Sequence, residues 1–146
     1  MADTVRGEAV SPHALVQERV ARDRHYPWRV LVCCALLNLT SGAQVRPVIG
    51  PLFERCPTPD SMLLADLSDL LSPLGLQRRR ANVLRRLTWD YLAGKAPLCY
   101  GCGQYALDAW ALFVEGRTDL DPADHWLRPY LDWRLSGGPA VSWGEK

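Results

Sequence analysis

The stretch "PLCYGCGQYALDAWALF" (97–113) constrains this chain more than any other. Two glycines one residue apart stand between helical patterns, so the backbone must reverse there through a tight turn with almost no side chain on it. The same stretch holds a Cys-x-x-Cys, which raises a thiol or metal reading. A thioredoxin-type pair opens a helix after a strand, whereas every segment around Cys99 and Cys102 reads as helical and Gly101 lies inside the pair. A structural zinc needs two more ligands. Cys56 is remote, and the three histidines show no paired ligand spacing. Five cysteines, an odd number, also argue against a disulfide framework. Cys33 and Cys34 read as small buried hydrophobes. The glycine reading is stronger: bare N–H groups at the start of the following helix can bond a phosphate, helped by the helix dipole. A Gly-x-Gly before a helix also serves as a plain C-cap and turn.

The rest of the chain reads as all-α. At 146 residues it makes one domain, able to bury about two thirds of its unfolded surface. Residues 1–13 lack apolar periodicity and are expected to be flexible. A mixed helical pattern runs from Ala14 to about His25. "PWRVLVCCALLNLTSG" (27–42) opens with Pro at a first-turn position and ends in small polar residues, as a buried helix does. Residues 43–55 are expected to be an irregular helix because of Pro47 and Pro51, and 58–76 two short helices. In "QRRRANVLRRLTWDYLAG" (77–94), Ala81, Leu84, Leu87 or Thr88, and Tyr91 make one apolar stripe. A last helix spans 125–135, and 136–146 reads as a flexible tail. No apolar run approaches the roughly 18–20 residues of a membrane span. "VLVCCALL" is too short and lacks a secretory cleavage pattern.

Net charge is only +1, yet residues 77–86 carry five arginines and no acid. Such a patch is either a solvated helix face or the seat of a polyanion. The pattern apolar-x-Gly-apolar-Gly-x-x-Ala across the glycine turn is that of a helix–hairpin–helix, a motif that holds DNA by its backbone. Beyond it, "DPADHWLRPYLDW" (121–133) puts Asp124 at the mouth of the last helix.

Four motifs in order resemble the mismatch-specific thymine glycosylase domain of methyl-CpG-binding proteins, within the endonuclease III superfamily of DNA glycosylases. They are "LNLTSG" (37–42), "LSPLGLQRRRA" (71–81), "GCGQYALD" (101–108) and "PADHWLRPYLDW" (122–133). The resemblance spans residues 27–133. It implies a two-lobed, all-helical helix–hairpin–helix glycosylase fold over 14–135. No cysteine follows Cys102, so the iron–sulfur cluster of many superfamily members is not expected, nor any other cofactor or metal.

The resemblance also assigns roles. Asp124 is the catalytic carboxylate beside C1′, where it stabilises an oxocarbenium-like sugar and orients water; its bland alternative is a helix N-cap. Tyr105 stands where bifunctional relatives carry a Schiff-base lysine, so the enzyme is expected to be monofunctional, leaving an abasic site. Tyr105 and Gln17 are assigned to the base pocket. Leu76, presented by Gly75, is the wedge that fills the vacated stack, although on bare sequence it reads as core. Leu39 stands where most such glycosylases have arginine; it fills volume but bonds neither phosphate nor the orphaned base. Gln44 is a further candidate polar contact. Gly101, Gly103, Gln104, Arg78 and Arg79 are expected at the DNA backbone, and Arg80 in a structural role.

The expected function is excision of thymine or uracil mispaired with guanine. Two alternatives stand beside it: a glycosylase for another modified or damaged base, and an inactive DNA-binding module. The expected partner is double-stranded DNA, the expected state a monomer, without membrane association, in the cytoplasm (nucleoid) or nucleus.

Overall fold

The computed structural model describes residues 4–5, 8–9, 11–38 and 40–144. The core is helical, and the strands among the described residues are one antiparallel pair, β1 (Thr4–Val5) and β2 (Glu8–Ala9). Helix α1 (Tyr26–Leu37) lies at the centre, with every residue from Tyr26 to Leu36 buried. A helix apolar all round has to be covered on every side. α2 (Gly42–Arg55), α5 (Gln77–Leu92), α6 (Gln104–Ala109) and the π-turn Trp110–Val114 that prolongs α6 all pack on it. α3 (Pro59–Leu64) and α4 (Ser68–Leu71) pack on α5. α7 (Leu127–Leu135) closes the core through Tyr130, whose ring centroid lies 4.5 Å from that of Phe113.

Several polar groups inside this core are paired. Trp28 Nε1 donates to Thr88 Oγ1 (3.1 Å), and that hydroxyl donates back to the Leu84 carbonyl (2.7 Å). Arg29, 4% exposed, donates to Asp23 Oδ1 (2.6 Å) and to the Ala21 and Pro57 carbonyls. The Arg29 bond opposes the burial of Asp23 and, with the His25 N–H, holds its carboxyl below the usual range.

Two expectations need correction. Residues 14–25 form no helix beyond the single turn Val16–Glu18. The Glu18 carboxylate is buried and accepts the Ser11 N–H, the Ser11 hydroxyl and the Leu15 N–H. A buried donor without a partner costs about 1–3 kcal/mol, so this local buried network outweighs a weak helical pattern. α2, in turn, runs without a break through Pro47 and Pro51. Both prolines lie on the exposed face, where water can satisfy the carbonyls they leave unpaired. Near the two ends of the described residues, Ser11 and Trp143 make contacts with the body of the fold. Ser11 is buried against Glu18, Trp143 Nε1 donates to the Val114 carbonyl (3.1 Å), and the Trp143 ring lies 6.1 Å from Tyr26. No helix among the described residues is long and apolar enough to cross a membrane.

Candidate functional site

The turn between α5 and α6 is fixed from several sides. Gly94 (φ +79°) ends α5 and Gly101 (φ +80°) ends the reversal. A Cβ on Gly101 would stand 2.8 Å from Val83 of α5, so both backbone conformation and packing exclude a larger residue there. Gly103 precedes α6 with open space where its Cβ would be. The first turn of α6 therefore presents backbone N–H groups with no side chain over them. The Gln104 side chain is turned along the helix, donating to Asp108 Oδ1 (3.0 Å).

This turn borders a cleft of about 780 Å³. Gln17, Cys34, Gly101, Gly103, Gln104, Tyr105 and Asp124 all line it. Gln17 Nε2 donates to the Tyr105 hydroxyl (2.8 Å) and approaches Cys34 Sγ (3.6 Å). Its own carbonyl oxygen, Oε1, is buried with no hydrogen-bond partner among the described residues. A phenol that accepts a hydrogen bond keeps its own proton to donate. Burial, reinforced by Cys34 and Asp124, raises the Tyr105 phenol well above its ordinary value against the opposing effect of the Gln17 bond; at neutral pH it is a donor.

Asp124 is held by the start of α7. Its Oδ1 accepts the N–H groups of Trp126 (2.8 Å) and Leu127 (3.0 Å), and its carbonyl accepts that of Arg128 (3.1 Å). The capping alternative is therefore real, but it occupies one oxygen. No hydrogen bond to Oδ2 occurs among the described residues. The carboxylate is near enough to Tyr105 and Cys34 to disfavour their ionisation. The His125 and Trp126 rings, which also line the cleft, lie 4.8 Å apart and tilted by 40°, with Trp126 exposed.

Leu76 does not belong to the core. It is 60% exposed, at φ +51° and ψ +37°, between Gly75 (φ +73°) and the first turn of α5. Leucine rarely adopts a left-handed backbone, and such conformations persist where the surroundings over-determine them. Here Arg80 is that surrounding, donating through Nε to the Gly75 carbonyl (2.9 Å) and through Nη1 to the Leu36 carbonyl (3.3 Å). Leu76, Arg78 and Arg79 line a neighbouring groove rather than the cleft. Gln44 is spent on the Ser41 capping box and does not line the cleft. Leu39 lies outside the described residues.

Among the described residues no group of three or more His, Cys, Asp or Glu side chains could hold a metal ion. Cys99 is buried and Cys102 half-buried, and burial pushes their thiols up to about 11 and about 12. A raised thiol is protonated at neutral pH and a poor nucleophile. Alkylation of either thiol in the native protein is expected to be negligible at pH 8 and to rise only towards pH 11, read by mass spectrometry. Rapid modification of both at pH 8 would restore a redox role.

The sequence matches no family model. It is 42% identical over 130 residues to a protein of Arabidopsis thaliana named methyl-CpG-binding domain protein 4-like protein, a match covering 84% of this chain and 28% of that one. A thymine-DNA glycosylase of Aeropyrum pernix is 32% identical over 95 residues, covering 58% and 43% of the two chains. The chain is thus similar in part to one protein named as a DNA glycosylase and to one named as methyl-CpG-binding domain protein 4-like. It spans less than half the length of either relative.

Cys34, Trp126 and Asn38 also line the cleft, and the sequence did not single them out for it. Cys34 and Asn38 lie on and just after α1, facing Gln17 and the cleft mouth, and a hydrophobic run gives no sign of which face meets a cavity. Trp126, two residues beyond Asp124, carried a signal in its place beside the candidate carboxylate.

Proposed function

We propose that this chain is a helix–hairpin–helix DNA glycosylase that hydrolyses the N-glycosidic bond of thymine or uracil mispaired with guanine. The reading rests on one observation: Gln17, Tyr105 and Asp124, from three distant segments, line a single cleft beside a glycine turn. In this reading the turn holds a phosphate through the N–H groups of Gly103 and Gln104, with Gly101 shaping the approach. The extruded base enters the cleft. The unpartnered Gln17 Oε1 accepts its N3–H, and the Tyr105 hydroxyl donates to a carbonyl oxygen. These contacts suit thymine and uracil, which present a donor at N3, and reject cytosine, which presents an acceptor.

Asp124 acts at the sugar. As the C1′–N1 bond breaks, its electron pair leaves with the base, and the carboxylate faces the cationic sugar. Water then adds its oxygen to C1′ and gives a proton to the carboxylate. Leu76 occupies the emptied place in the stack, while Arg78 and Arg79 neutralise phosphates. Every group in this scheme comes from one chain, so a monomer suffices, acting wherever the cell keeps its DNA.

A panel of duplexes with G·T, G·U and modified pyrimidine mispairs, followed by alkali cleavage at abasic sites, tests the reading. Release of thymine or uracil opposite guanine is expected; release of only another base would redirect it to a different lesion. Borohydride is expected to trap no covalent adduct, since Lys95 pairs with Asp90 (3.6 Å) and does not line the cleft. The second reading, a DNA-binding module without turnover, draws on the cap bonds of Asp124, which a purely structural aspartate would also make. Tight duplex binding with no base released from any member of the panel would favour it.

A further inference from the structure

Beside Leu76 lies a groove of about 710 Å³ that shares no lining residue with the cleft; Leu76, Arg78, Arg79, Asn82, Arg86 and Tyr100 are among the residues that line it, and no carboxylate is in its wall. Its far wall is built with care. The Tyr100 N–H donates to Asp90 Oδ2 (2.8 Å), and Gly101 beside it is packed against Val83. The Arg86 guanidinium carbon sits 3.8 Å from the centroid of the Tyr100 ring, which remains 42% exposed.

A cation resting on an aromatic face is oriented without being neutralised. Arg86 therefore differs from Arg55, whose guanidinium is consumed by Asp69 (2.7 Å). Arg78 and Arg79 are exposed on the same rim, and no hydrogen bond or ion pair to them occurs among the described residues. Three guanidinium groups converge on one open groove that an exposed leucine also lines.

We propose that this groove is a second nucleic-acid contact, in which Arg86, shelved on Tyr100, binds a phosphodiester of the duplex outside the excision cleft. The inference rests on the reading that the chain binds duplex DNA. With Leu76 on the groove, a duplex opened at the wedge meets protein along the groove as well as at the cleft. The cleft side takes the extruded nucleotide and the groove side takes continuing backbone. Planar guanidinium suits phosphate because it offers two parallel N–H donors.

The test measures binding to a short duplex carrying a tetrahydrofuran abasic analogue, which has no glycosidic bond to cleave. Each phosphate neutralised contributes about 0.9 to the slope of log K against log salt. Arg86→Gln is expected to lower that slope by about one and to weaken binding several-fold near 0.1 M salt, with unchanged circular dichroism and Tm. Arg86→Lys is expected to keep the slope. Arg24→Gln removes an exposed arginine that lines neither groove nor cleft, and should match the wild type. An Arg86→Gln slope equal to that of the wild type, or one lowered equally by Arg24→Gln, overturns the proposal. Base release from a G·T duplex, run in parallel, separates the two readings. A lost slope unit without any excision keeps the groove and removes the glycosylase; excision with an unchanged slope does the reverse.

Discussion

Asp124→Asn is expected to reduce base release by at least about a hundredfold while leaving folding and duplex binding intact. The substitution isolates charge from shape. Asparagine keeps a side-chain oxygen able to accept the Trp126 and Leu127 N–H groups, and it is as good a cap as aspartate. The start of α7 therefore holds, and Tm should stay within a degree or two. What is lost is the carboxylate that would face a cationic sugar and take a proton from water. Single-turnover release from a G·T duplex, with affinity measured separately, reads the two consequences apart. Wild-type release in this variant would reduce Asp124 to a cap. A fall in affinity equal to the fall in rate would make it a binding group instead.

The helical skeleton was legible because it depends on local pattern. The apolar run of α1 announced a buried helix, and in the stripe of α5 Ala81, Leu84, Leu87 and Thr88 are buried as their spacing implied, with Tyr91 half-buried. The parts that were not legible depend on side-chain partners that no period or spacing joins. Glu18 draws Ser11 and Leu15 into a turn where periodicity suggested a helix. Gln17 and Tyr105 meet across 88 residues, so no spacing rule joins them, and only the motif resemblance brought them together. Arg86 and Tyr100 lie on opposite sides of a reversal whose geometry no pattern specifies. Leu76 is the instructive case. By residue type it belonged inside, yet it is held out in solvent in a conformation leucine disfavours. A local rule broken at an ordered position is where function is to be sought.

That break leads to a prediction in which stability and activity part company. Leu76→Gly is expected to leave stability unchanged or to raise it by up to about 1 kcal/mol, and to reduce base release by about tenfold or more. Leucine at φ +51° carries a strain of about 1–3 kcal/mol. Glycine removes that strain but loses more entropy on folding, by about 0.5–1 kcal/mol. Because the side chain is 60% exposed, little packing is forfeited, and the balance falls at or above zero. Arg80 Nε still donates to the Gly75 carbonyl, a bond that does not involve the side chain at 76, so the loop keeps its shape. Activity moves the other way, because glycine has nothing to place between base steps and an extruded nucleotide can fall back into the stack. A G·T duplex should report the loss mainly in the release rate, and a substrate already lacking stacking, such as uracil in single-stranded DNA, should report less of it. A lower Tm would return Leu76 to the core. An unchanged rate on both substrates would mean the strain at this position serves something other than opening the duplex.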